Sequence, residues 1–235
     1  MIECSFIGEV CTYLEFSRKT YHSAIAMLHY FLSKFQNLQL EHFQALGAAM
    51  VLIAAKIEET DLVTVENVAY WSERPEEDCN LMILFENHFM CGFDGSVPLT
   101  IVTTYEWFMM YHQLYAHSQI SYNTSNMPID DDVLRDMDIV IIESAFSRYS
   151  YSLLAAALFY RGFCNGNDVL LSRCTGYKKS QVANVELLIQ DFRIKWKVGS
   201  LMNGTDTMET DEPQEERQWN QPPLALTVDE LVCCL

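Results

Sequence analysis

Residues 41–57 read EHFQALGAAMVLIAAKI. The stretch is apolar on nearly every side and lacks the polar face of a surface helix, which predicts a helix buried in the middle of a bundle. Gly47, Ala48, Ala49, Ala54 and Ala55 within it would let neighbouring helices approach closely. Outward from this segment, apolar residues recur at spacings of three and four and strict alternation is rare. With 9 glycines and 6 prolines in 235 residues, the pattern predicts an all-α protein. Upstream, residues 2–14 read as one helix and Thr20–Lys34 as another. Tyr21, Ala24, Ile25, Leu28, Phe31, Leu32 and Phe35 take one side of the second, and Lys19, His22 and Lys34 take the exposed side. Downstream come a short helix at Val65–Trp71 and a longer one from Glu76 to about Phe93, separated by Arg74–Pro75 with the proline close to a helix start.

The pattern then restarts. An aromatic, methionine-rich helix is expected at Thr100–His117, where Trp107, Phe108, Met109 and Met110 read as core. The polar run from Ser118 to Asp132 reads as a loop. Helices are expected at Val133–Ser147, Tyr151–Phe163, Asn167–Thr175 and Lys179–Val198. Two successive sets of five helices, each around a small-residue central helix, suggest an internal repeat with units at residues 1–97 and 98–198. Residues 199–235 are rich in Gly, Thr, Asp, Glu, Gln and Pro and read as an acidic, disordered tail.

Composition narrows the function classes. There are 15 basic and 32 acidic residues, a formal net charge of −17. A surface that acidic repels nucleic-acid phosphates and anionic lipid headgroups, so neither nucleic acid nor membrane is an expected partner. No stretch approaches the roughly 20 apolar residues of a membrane span, and no secretory signal opens the chain. The 8 cysteines include no Cys-x-x-Cys pair and are expected to be free thiols, several of them small core residues. The histidines show no metal-ligand spacing, and no Ser-His-Asp order or glycine-rich phosphate loop is present. No catalytic residue, metal or cofactor is expected, and the chain is not expected to be an enzyme.

Two further stretches carry a resemblance. EVCTYLEFSRKTYHSAIAMLHYFLSKF (residues 9–35) followed by QALGAAMVLIAAKIEE (residues 44–59) resembles the first cyclin box. The matching features are Glu9-Val10 near the end of the first helix, Lys19-Thr20 at a helix start, and Ala54-Ala55-Lys56-Ile57-Glu58-Glu59 at a helix end. Pro98-Leu99-Thr100-Ile101-Val102 is similar to the start of the second box in cyclin E, and YSLLAAALFY (residues 151–160) with Thr175-Gly176-Tyr177 resembles the second box's small-residue helix and Gly-Tyr turn. The resemblance is to the cyclin family, closest to the cyclin E type, over residues 2 to 197.

It implies two tandem five-helix boxes, the first shortened at its N-terminus, in a non-catalytic subunit. Such a subunit binds a cyclin-dependent Ser/Thr kinase as a heterodimer and activates it, in the cell cycle at the G1/S transition, in nucleus and cytoplasm. In the family, the ends of the third and fifth helices hold the kinase's αC helix in its active position, which completes the Lys–Glu pair on the ATP phosphates. A Lys and a Glu are the central polar contacts, and Lys56 matches the first, with Ile57 beside it. For the Glu, counting without gaps from Lys56 reaches Phe85. One extra loop residue reaches Glu86 and keeps the apolar stripe of Phe89, Met90 and Phe93 on its face, so Glu86 is preferred. Ile2, Glu9, Phe43 and Gln44 match what remains of the family's docking surface for Arg-x-Leu substrates and inhibitors. The family's Met and Arg at the start of its first helix are missing, and His29-Tyr30 stands where the Arg's Asp partner is usual, so no half-pair is left buried. The alternative reading is a cyclin-fold interaction module that binds a partner without activating a kinase.

Overall fold

The computed structural model describes residues 2–34, 38–72, 74–92, 101–118 and 128–203. Among these it contains ten α-helices and no strand, so the all-α expectation holds. They are α1 (Ile2–Tyr13), α2 (Arg18–Lys34), α3 (Phe43–Glu58), α4 (Val65–Ala69), α5 (Pro75–Gly92), α6 (Thr104–Ser118), α7 (Asp131–Ile142), α8 (Tyr151–Phe159), α9 (Asp168–Thr175) and α10 (Lys179–Asn203). A 3-10 turn, Leu40–His42, leads into α3, and a π-helical turn, Tyr160–Cys164, extends α8.

Two helices act as axles. α3 packs against α1, α2, α4 and α5, and every residue from Ala45 to Ala55 is buried. Its small residues allow α2 and α5 to lie close. α8 has the same role downstream, packed against α6, α7, α9 and α10 with Leu154 to Phe159 buried. α2 touches both groups, contacting α6 and α7 as well as α1 and α3. Leu40–Glu58 is long and apolar enough to cross a membrane, which corrects the expectation that no stretch reaches that length. Its burial against four helices is that of the core helix of a bundle.

Several boundaries differ from the sequence reading, and side-chain caps explain them. α2 starts at Arg18 because Ser17 caps it, Oγ accepting from the Thr20 amide at 3.3 Å. α6 starts at Thr104 because Thr103 and Glu106 form a reciprocal capping box: Glu106 N donates to Thr103 Oγ1 at 3.2 Å and Thr103 N donates to Glu106 Oε2 at 3.0 Å. Asp130 caps α7 two residues earlier than expected, and Ser150 and Asn167 cap α8 and α9. α4 stops at Ala69, and α7 stops at Ile142 before a separate 3-10 turn. α10 continues to Asn203, past the expected end at Val198. Residues 98–100, most of the 118–132 loop and the tail from 204 onward lie outside the described residues. Of the cysteines, Cys11, Cys164 and Cys174 are buried free thiols, and burial pushes Cys164 up to about 12. In the methionine-rich run only Phe108 is fully buried, while Met110 is exposed.

The π-helical turn brings Gly162 against α7. A β-carbon there would sit 2.9 Å from Val133 Cγ2. Gly162→Ala is therefore expected to lower stability by about 1–3 kcal/mol in urea denaturation, with most of the loss recovered in the Gly162→Ala/Val133→Ala double variant.

His22 is the clearest correction. Expected on the exposed side of α2, it is 1% exposed, with Nε2 3.2 Å from Asp138 Oδ1 on α7 and Tyr105 beside the ring. The α2 periodicity shows one apolar stripe, but α7 covers a second face. Burial holds the imidazole pKa below 6.5, against the opposing pull of Asp138 and with help from Arg18, itself 3.3 Å from Asp138. Below pH 6.5 the unfolded chain takes up a proton that the folded chain refuses, so this group costs stability as pH falls. The slope is at most about 1.4 kcal/mol per pH unit. His22→Gln, which keeps a neutral donor toward Asp138, should flatten the decline between pH 7 and 5.5 in thermal melts, roughly the window below the usual imidazole range.

Candidate functional site

α3 is buried as far as Ala55 and then emerges. Lys56 and Ile57 are both exposed at its last turn, Ile57 at 38%. α5 runs beside that turn. Its residues split by helical spacing: Phe85 and Phe89 turn inward onto Phe31, with ring centroids 5.9 and 6.3 Å away, whereas Ile83, Glu86 and Met90 share the outward side. Glu86 Oε1 lies 2.5 Å from Lys56 Nζ. The structure thus places Glu86 against Lys56 and Phe85 against the core. Ile83 and Met90 expose apolar surface on the Glu86 side of α5, and Ile57 does so next to Lys56. A polar pair flanked along its helices by exposed apolar side chains can take up a partner helix, burying the apolar surface and re-pairing the charges.

The docking candidates are spread over α1 and the start of α3. Glu9 is half-buried on α1 with Ser5 Oγ 3.5 Å from Oε1. Phe43 and Gln44 are half-buried in the first turn of α3, against which α1 packs. Ile2 opens α1, and its side chain is outside what is described. His29 is exposed and Tyr30 half-buried on α2.

Glu58 and Glu59, placed from sequence at a helix end, are both engaged by α2. Glu59 Oε1 accepts from Ser17 N at 2.8 Å and from Thr20 Oγ1. Burial alone would raise its pKa, but these hydrogen bonds outweigh it and hold the carboxyl below the usual carboxylate range. Glu58 accepts from Ser23 Oγ at 3.3 Å and pairs with Lys19 Nζ at 2.7 Å. Lys19 also reaches Glu106 Oε1 at 3.3 Å, and the hydrogen bond to Glu58 is the leading reason its pKa is raised. These residues were not singled out as a group from sequence. The signal was available in charges that oppose their own helix dipoles: two acids at the end of α3 and two bases at the start of α2.

Residues 1–96 match the family described as "Cyclin, N-terminal domain". That match spans about two fifths of the chain, whose N-terminal part thus resembles the cyclin N-terminal domain. The chain is also similar to the G1/S-specific cyclin-E of Drosophila melanogaster, with 23% identity over 188 residues. The match covers 72% of this chain and 26% of that protein, so the chain spans about a quarter of the length of the curated relative it matches.

Proposed function

We propose that this chain is the regulatory subunit of a cyclin-dependent Ser/Thr kinase and activates it, at the G1/S transition, in nucleus and cytoplasm. Residues 1–97 and 98–198 are then its two cyclin boxes. The observation that carries the reading is the Lys56–Glu86 pair at 2.5 Å between α3 and α5, flanked by exposed Ile57 on α3 and by exposed Ile83 and Met90 on the Glu86 side of α5. A kinase αC helix that docks there is favoured in its active position, and activation requires no more than this preference for one of two states. The residues of the Arg-x-Leu docking surface that remain, Ile2, Glu9, Phe43 and Gln44, would receive substrates or inhibitors.

A second reading is a cyclin-fold interaction module that binds without activating. It is favoured by His29-Tyr30 standing where the family carries an Asp. Co-expression with a G1/S-type cyclin-dependent kinase followed by co-purification tests binding. A stable equimolar complex supports both readings over an unrelated use of the fold. Separate elution of the two chains counts against the first reading and leaves a module that serves another partner.

A further inference from the structure

We infer that Lys19 is a positioning residue that holds the kinase-facing end of α3 in place and ties it to the start of α6. The inference rests on the proposed function for its kinase arm and on geometry alone for the rest.

Two acids at the C-terminus of a helix meet the negative end of its dipole, and two bases at the N-terminus of a helix meet the positive end. α3 and α2 each carry this unfavourable arrangement, and each answers the other's. Glu59 caps the first turn of α2 through Ser17 N and Thr20 Oγ1, while Lys19 and Ser23 answer Glu58. The exchange fixes the two residues that directly follow Lys56 and Ile57. Glu59, in extended conformation, ends α3 with its amide on Ala55 O at 2.9 Å, so the side chains of residues 58 and 59 decide where the exposed turn points.

Lys19 carries the exchange further. Glu106 uses Oε2 to close the capping box at the start of α6, and its other oxygen meets Lys19. One ammonium therefore joins the α3 end to the α6 start, next to the point where Arg18 and His22 hold Asp138 of α7. Glu58 has only 13% of its side chain exposed, so losing its cation leaves a carboxylate largely out of water, and the turn must move to rehydrate it.

The test compares Lys19→Met, Lys19→Arg and the parent chain by amide hydrogen exchange in the free protein and by affinity for the co-purifying kinase. Lys19→Met should speed exchange about tenfold at residues 55–60 and 103–107 while sparing the centre of α8, and should weaken kinase affinity about tenfold. Lys19→Arg should restore both. Unchanged exchange at 55–60 would overturn the inference, as would faster exchange with kinase affinity intact or an Arg variant no better than Met. If the parent chain binds no kinase, the proposed function fails, and the exchange pattern alone still decides whether Lys19 holds the α3 end.

Discussion

Lys56→Ala will weaken kinase binding by about 2–5 kcal/mol, roughly thirtyfold to several thousandfold, while the free chain melts almost where the parent does. The asymmetry follows from exposure. In the free chain the Lys56 side chain is 42% exposed and that of Glu86 22%, and a pair so open to water adds roughly 0–1 kcal/mol to folding. Under a docked helix the same groups lose their water, and removing one strands the other. Glu86→Ala should cost a similar amount, and the double variant much less than the sum of the two single losses, because each single change already breaks the pair. Titration calorimetry on the four proteins checks this. If Glu86→Ala is silent while Phe85→Ala abolishes binding, the ungapped register applies and Glu86 has no part in recognition.

Phe31→Ala is expected to lower folding stability by about 3–5 kcal/mol in urea denaturation, a large share of the roughly 5–15 kcal/mol that holds a domain together. Phe31 is 2% exposed and touches Phe85, His88 and Phe89, so it is the support on which α5 lies. The cavity would be bordered by Phe85, the neighbour of Glu86. The effect should therefore reach beyond stability: kinase affinity should fall even at temperatures where the variant remains folded. Phe31→Leu, which fills more of the space, should recover much of both losses.

Much of this was legible because helix periodicity and burial share one cause. A segment apolar all round, such as residues 44–55, can only be an axle, and α3 is one. Lys56 was singled out by the Ala-Ala-Lys-x-Glu-Glu run around it, since periodicity alone reads it as the solvent-reaching end of a buried helix. Glu86 was preferred so that Phe89 and Met90 would share an apolar face, but the structure buries Phe89 and exposes Met90 on the side of Glu86, because adjacent residues on a helix point about 100° apart. His22 was misplaced because one stripe of α2 faces α3 while α7 approaches from the side, and a single helix's sequence does not say how many neighbours it has. The boundary errors at α2 and α7 came from reading apolar onset as helix onset, when Ser17 and Asp130 had already begun each helix through their side chains, whereas the Thr103–Glu106 box starts α6 four residues later than the expected Thr100. The engagement of Glu58 and Glu59 was not legible because their partners on α2 lie about forty residues earlier in the chain, beyond any local window.

The most direct test is a histone-phosphorylation assay in which the purified chain is titrated into a fixed amount of a G1/S-type cyclin-dependent kinase. The expected result is a saturable rise in kinase activity that Lys56→Ala shifts to much higher concentrations. Saturable binding with no rise at any concentration would contradict activation and leave a partner-binding module in its place.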